Sequence, residues 1–161
     1  MTSARRTTLG SIALVFIVCS AIGAAAMHFD VLTVLKPQSR LLKFRRTCAT
    51  CPNYTITITG DGLLTYEGGD YALVQRTRQF YLDAATVNVL FDDFTQPEFM
   101  EMENIYPAPG PDRMTVSLSV QIGDFTKSVF SEQDYGPALR QTLERKLDDL
   151  PGMRALSGWT F

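Results

Sequence analysis

Two stretches of this chain alternate apolar and polar side chains without a break, and they commit it to a sheet with one buried face and one wet face. Tyr54-Thr55-Ile56-Thr57-Ile58-Thr59 is the first. The second sets Met114, Val116, Leu118, Val120 and Ile122 between Thr, Ser, Ser and Gln. Successive side chains of a strand point to opposite faces, so strict alternation sends one set inward and the other to water. Both stretches run into turn signals. Gly60-Asp61-Gly62 supplies the positive-φ residues of a hairpin, with Leu63 to Glu67 returning as its partner; Gly123-Asp124 does the same before Phe125 to Phe130. Upstream, Leu41 to Arg46 alternates well enough for a first strand. Beyond Gly68-Gly69-Asp70, the run Tyr71 to Phe80 reads as a further strand with Arg76 and Arg78 on one face. A four-strand antiparallel meander and a later hairpin result.

The period changes at Asp83, a suitable N-cap. Val87, Leu90, Phe91 and Phe94 recur at helical spacing, and Gln96-Pro97 ends that stripe. Ile105 to Arg113 holds three prolines and Gly110 and reads as a loop. A last helix begins near Pro137, carries Leu139, Leu143, Leu147 and Leu150, and stops at Pro151-Gly152; Trp159 follows near the end of the chain. The expectation is an α+β domain over residues 40–161, its helices packed on one face of an antiparallel sheet. At 161 residues, 45% apolar and 20% charged, the chain has room and composition for one globular domain.

The N-terminus reads differently. Arg5-Arg6 precedes an uncharged run from Thr7 to Met27 that ends in Ala24-Ala25-Ala26. A positive flank, an apolar centre and small residues are the layout of a signal peptide. The run is also long enough, at about 1.5 Å per residue, to reach across a hydrocarbon core of about 30 Å. Residues 1–27 are therefore read as a signal peptide or an uncleaved apolar export or anchor helix, and residues 28–39 as a connector. Either way the positive flank stays on the cytoplasmic side, and the domain faces the periplasmic or extracytoplasmic side of the cell envelope. The membrane is the partner expected of this segment, and an envelope protein or ligand the partner expected of the domain.

With Cys19 inside the leader, the exported part keeps one thiol pair, Cys48 and Cys51. An oxidising compartment favours a disulfide between them. Two alternatives stay open. A Cys-x-x-Cys pair is also a redox motif, although here Pro52 and a strand follow instead of the helix whose dipole stabilises a reactive thiolate. Metal binding would need further ligands, and zinc usually takes four.

Other chemistry finds little support. His28 is the chain's single histidine and sits at the membrane boundary, which argues against Ser-His-Asp, Cys-His and His-ligated metal sites. Ser117 and Ser119 lie on the polar face of a strand without a base. Asp92, Asp93, Glu98, Glu101 and Glu103 form an acidic segment that reads as solvated surface, with a general acid and base pair or an oxygen-ligand calcium site as the sharper options. Lys36, Arg40, Lys43, Arg45 and Arg46 make a basic stretch that reads either as solvated surface or as a contact with lipid headgroups. The formal charge of −2 argues against nucleic acid, which needs a basic footprint. No catalytic, cofactor-binding or metal residue is assigned. The expected function is a non-catalytic binding module, and the rival is a thiol-disulfide redox protein using Cys48 and Cys51.

The run Arg46-Thr47-Cys48 through Cys51-Pro52-Asn53-Tyr54, followed by the alternating strand, Gly60-Asp61-Gly62 and Thr65-Tyr66-Glu67-Gly68, resembles the start of an exported bacterial domain, domain of unknown function 6438. Leu90, Phe91 and Phe94, the strand from Thr115 to Ile122, and Pro137, Leu139, Leu143 and Trp159 are similar to the rest of it. The resemblance spans roughly residues 40–160 and implies the same fold and compartment without implying an activity. One departure stands out: the family's Cys pair is usually spaced a residue wider. The tighter spacing keeps the redox alternative in play.

Overall fold

The structure, a computed structural model, describes residues 39–110 and 114–159. The expected leader or anchor over 1–27, Cys19 within it, and the connector from His28 up to residue 38 lie outside the described residues.

Seven strands form one sheet: β1 (Arg40–Thr47), β2 (Tyr54–Thr59), β3 (Leu63–Gly68), β4 (Thr77–Tyr81), β5 (Ile105–Tyr106), β6 (Thr115–Ile122) and β7 (Phe125–Glu132). Their order across the sheet is β4-β3-β2-β1-β6-β7-β5. The expected meander is present as β1 to β4, and the expected hairpin as β6 and β7. The two blocks join through β1, which pairs with β2 on one side and β6 on the other. β1 is therefore the central strand. Every pairing is antiparallel except β5 with β7, so the sheet is mixed. Between β4 and β5 come helices α1 (Ala84–Thr95) and α2 (Pro97–Met100), and after β7 come α3 (Ala138–Asp148) and α4 (Met153–Ser157).

The alternating residues do what their period requires. Leu42 and Phe44, Ile56 and Ile58, Leu64 and Tyr66, Val116, Leu118 and Val120 are all buried on one face. Val87, Leu90, Phe91 and Phe94 of α1, Phe99 of α2, Leu143 and Leu147 of α3 and Met153 of α4 join them in a single core. Burying one such side chain contributes about 1.5–3 kcal/mol. Asp83 caps α1 as expected, its carboxylate accepting from the Thr86 amide at 2.9 Å. The tight approach at the β2–β3 turn requires Gly62, whose φ of +93° disfavours any residue with a Cβ. Gly68 is required for a different reason: a Cβ there would lie 1.8 Å from the Val74 carbonyl oxygen.

Two expectations need correction, and one gains an addition. Tyr71 to Arg76 is not strand; β4 begins only at Thr77, so Arg76 lies in a loop and Arg78 in the strand. The Leu73 and Val74 amides bond to the carbonyls of Ser157 and Leu156 instead of to a neighbouring strand, and Tyr71 has a φ of +61°. The proline-rich loop also contains β5, a two-residue strand on the sheet edge. Its flank is tied down by the Phe130 amide, which donates to the Asn104 carbonyl at 2.8 Å. Pro97 ends α1 but opens α2, because its missing N–H is no loss at a first helical position.

Candidate functional site

Arg45 and Arg46 are neighbours in sequence and go to opposite sides of β1. Arg46 follows Leu42 and Phe44 inward; Arg45 follows Lys43 outward. This parity places two charged regions on the two faces of one strand, and the basic stretch expected from the sequence is divided by it. Arg40 is engaged as well, its guanidinium lying 4.7 Å from the Phe91 ring centroid.

The inner region is sealed. Arg46 is 1% exposed, and its guanidinium sits 4.0 Å from the Trp159 ring centroid and 5.2 Å from that of Phe44. Its Nη1 donates to the Tyr54 hydroxyl at 2.5 Å and to Asp148 Oδ2 at 2.8 Å, and its Nη2 reaches Glu144 at 3.4 Å. Tyr54 in turn donates to Asp148 Oδ1, and Arg140 pairs with Glu144 one turn away on α3. The Arg140 Nε and Nη2 have no partner among the described residues. Burial pushes the Tyr54 phenol far above its ordinary value, against the Arg46 charge, and so holds it protonated. Burial also raises the Asp148 carboxyl, with Arg46 opposing, and lowers the Arg140 guanidinium, with Asp134 opposing. The cluster ties α3 and Trp159 to β1. The sequence reading missed it. Arg140, Glu144 and Asp148 recur at i, i+4 and i+8 beside the leucine stripe, and that regularity was the available signal.

The Cys loop lies directly beyond Thr47. Cys48 and Cys51 are within disulfide distance, with Cα atoms 5.6 Å apart. Asn53 organises the loop: its Oδ1 accepts from the Cys48 amide at 2.6 Å, its amide donates to the Asp70 carbonyl and its carbonyl accepts from the Gly69 amide, both at 2.8 Å. The loop is thereby stitched to the turn after β3. The Cys51 amide points at Cys48 Sγ, 2.7 Å away.

The outer face of the sheet is open and polar. Lys43 pairs across to Thr57 on β2 and Ser119 on β6, and Arg45 to Thr55 and Ser117. Directly paired residues share a face with Cβ atoms about 4.5–5.5 Å apart, so each cation stands between two hydroxyls. Ser128 on β7 extends one row, donating to Ser119 at 3.0 Å, and Phe130 extends the other. A shallow groove of about 550 Å³ runs along this part of β1 and β6. Among the described residues, neither Lys43 nor Arg45 has an ion-pair partner. Ser117 and Ser119, dismissed as nucleophiles, are here hydrogen-bonding neighbours of two cations.

The remaining expected residues do not converge. Asp93 pairs with Lys146 at 2.6 Å on the surface, while Asp92, Glu98, Glu101 and Glu103 are exposed. Among the described residues no group of three or more His, Cys, Asp and Glu side chains is placed to hold a metal ion. No helix among them is long and apolar enough to cross a membrane.

None of the curated proteins matches the chain. A family model, described as domain of unknown function DUF6438, matches residues 42–151, from the third residue of β1 to the turn after α3. That match takes in the central strand, both charged regions and the Cys loop, and the chain therefore belongs to the DUF6438 family.

Proposed function

We propose that this chain is a non-catalytic binding module of the cell envelope, exported or membrane-anchored through residues 1–27, whose open sheet face engages an anionic partner. One observation carries the reading: Lys43 and Arg45 stand exposed on the central strand with no ion-pair partner among the described residues, each flanked by hydroxyls that can donate to a bound ligand. A charge pair this exposed does not stabilise the fold, and a polar sheet face needs only Thr and Ser to stay wet. A membrane surface is the poorer match. Headgroup attraction is worth about 1 kcal/mol per basic residue, which is weak for two cations. A partner with oxygen acceptors uses the hydroxyls as well.

Binding of the full chain to poly-glutamate, followed by fluorescence anisotropy, tests this. The net charge of −2 opposes such binding, so a positive result reports the local patch. Binding is expected to weaken with salt and to disappear in a K43E/R45E double variant. Indifference to poly-glutamate, or binding untouched by the double variant, would remove the reading.

The Cys48–Cys51 pair is proposed as a structural bridge that holds the loop between β1 and β2. A redox role is favoured by one contact, the Cys51 amide aimed at Cys48 Sγ, because an N–H donor stabilises a thiolate. A potential below about −300 mV marks a structural bridge; a markedly higher one marks an exchanging pair.

A further inference from the structure

We infer that the occupant of the open face is an extended acidic peptide segment of a partner protein, with carboxylates at alternate positions, lying along β1. This rests on the binding-module reading and specifies the partner's chemistry. Lys43 and Arg45 are two residues apart on one strand, so their Cα atoms are separated by about 6.6–6.8 Å. An extended peptide presents alternate side chains on one face at that same repeat. Two carboxylates at i and i+2 therefore meet the two cations in register.

The groove has the matching shape. Its β1 wall runs from Lys43 to Thr47, a length of about 13 Å at about 3.3 Å per residue, enough for a short extended segment. The surrounding donors complete the match. Within the groove Ser119 flanks Lys43 and Ser117 flanks Arg45, so each carboxylate that enters meets one cation and one hydroxyl. Phe130, 37% exposed and level with Arg45 across Ser117, offers an apolar contact for an intervening side chain.

Two labelled peptides of equal composition and charge test the spacing: a Glu-Thr repeat, which carries carboxylates at i and i+2, and a Glu-Glu-Thr-Thr repeat, which has no such pair. The full chain is expected to bind the first about fivefold more tightly, and K43A/R45A to weaken that binding by roughly tenfold, the scale of two partly screened charge contacts. The variant's melting temperature should match that of the parent, since both side chains are exposed. Equal binding of the two peptides overturns the inference and leaves the binding-module reading standing. So does binding to anionic phosphatidylglycerol vesicles that exceeds binding to either peptide and is lost in K43A/R45A, a dependence that an anchor in residues 1–27 would not show. Absence of binding to both peptides and to poly-glutamate removes inference and reading together.

Discussion

Arg45 and Arg46 present the same chemistry from adjacent positions, and the sheet gives them opposite work. Arg46 is closed in by Trp159, Tyr54, Glu144 and Asp148, and its charge joins segments about a hundred positions apart in sequence. Arg45 stands among hydroxyls; Glu67 lies in the same row beyond Thr55, and no carboxylate among the described residues forms an ion pair with Arg45. The difference teaches that charge alone says little about role in a two-faced strand; parity decides whether a cation is used on the fold or offered to a partner.

The strongest way to break this comparison is to truncate each arginine in turn. Arg46→Ala leaves the buried Asp148 without a cation and Glu144 with Arg140 alone, and the loss of one partner from a buried pair typically costs about 3–5 kcal/mol. Arg45→Ala should alter stability by no more than about 0.5 kcal/mol, as exposed substitutions do. Urea unfolding of both variants checks this. Comparable losses in the two would mean that Arg45 also supports the fold, and its standing as a binding residue would fall with that.

Tyr54→Phe probes the sealed side more gently. The ring stays in the core, where it meets Phe44 edge-on at 5.7 Å, while Asp148 Oδ1 loses its donor. An orphaned buried acceptor costs about 1–3 kcal/mol, less than removal of the whole cation. Unfolding that is unchanged by Tyr54→Phe would place the hydroxyl outside the network.

Much of the sheet was legible because its residues obey one local rule. Alternation over Tyr54–Thr59 and Thr115–Ile122, turn residues at Gly60–Gly62 and Gly123, and the 3.6-residue stripe of α1 each specify an element without distant help. The central pairing of β1 with β6 was not legible, since it joins segments separated by more than sixty residues. Tyr71–Arg76 failed for the same reason: its amides are satisfied by Leu156 and Ser157, which nothing nearby foretells. The sealed cluster was half legible. Period-two parity sends Arg46 inward with Leu42 and Phe44, and helical spacing groups Arg140, Glu144 and Asp148. Charged residues in such positions read as surface until their partners are known to lie opposite. The open face was visible as Thr and Ser alternation, but which cations it carries between those hydroxyls depended on the pairing of β1 with β2 and β6.

A smaller effect is expected beside the sealed end, in the loop that shares a depression with Cys48, Ala49 and Asn53. Tyr71 holds a φ of +61° while 59% exposed, a conformation that crowds any Cβ. Left-handed backbone costs an L-residue about 1–2 kcal/mol, and glycine gives part of that back through its freer unfolded chain. Tyr71→Gly should therefore stabilise the domain by up to about 1 kcal/mol, where Arg46→Ala destroys several. A loss of stability instead would show that the Tyr71 ring has a packing role which outweighs the strain.

The finest test sets a buried carboxylate against an exposed one. Burial raises Asp148 above its ordinary value of 3.8, so the native state keeps this proton where the unfolded chain has released it. Its contribution is then fully present below pH 3.8 and is lost as pH rises through the raised value. Asp83 is shifted the other way, lowered by the Thr86 hydroxyl and amide that it accepts from. Its contribution is present above pH 3.8 and is lost as pH falls through the depressed value. Asparagine at either position removes the titration and keeps an acceptor. Relative to D148N, the parent should lose stability as pH rises from 3.8; relative to D83N, it should lose stability as pH falls below 3.8. Thermal unfolding across pH 2–7 resolves the two slopes, and slopes of the same sign would mean that burial is not what governs Asp148.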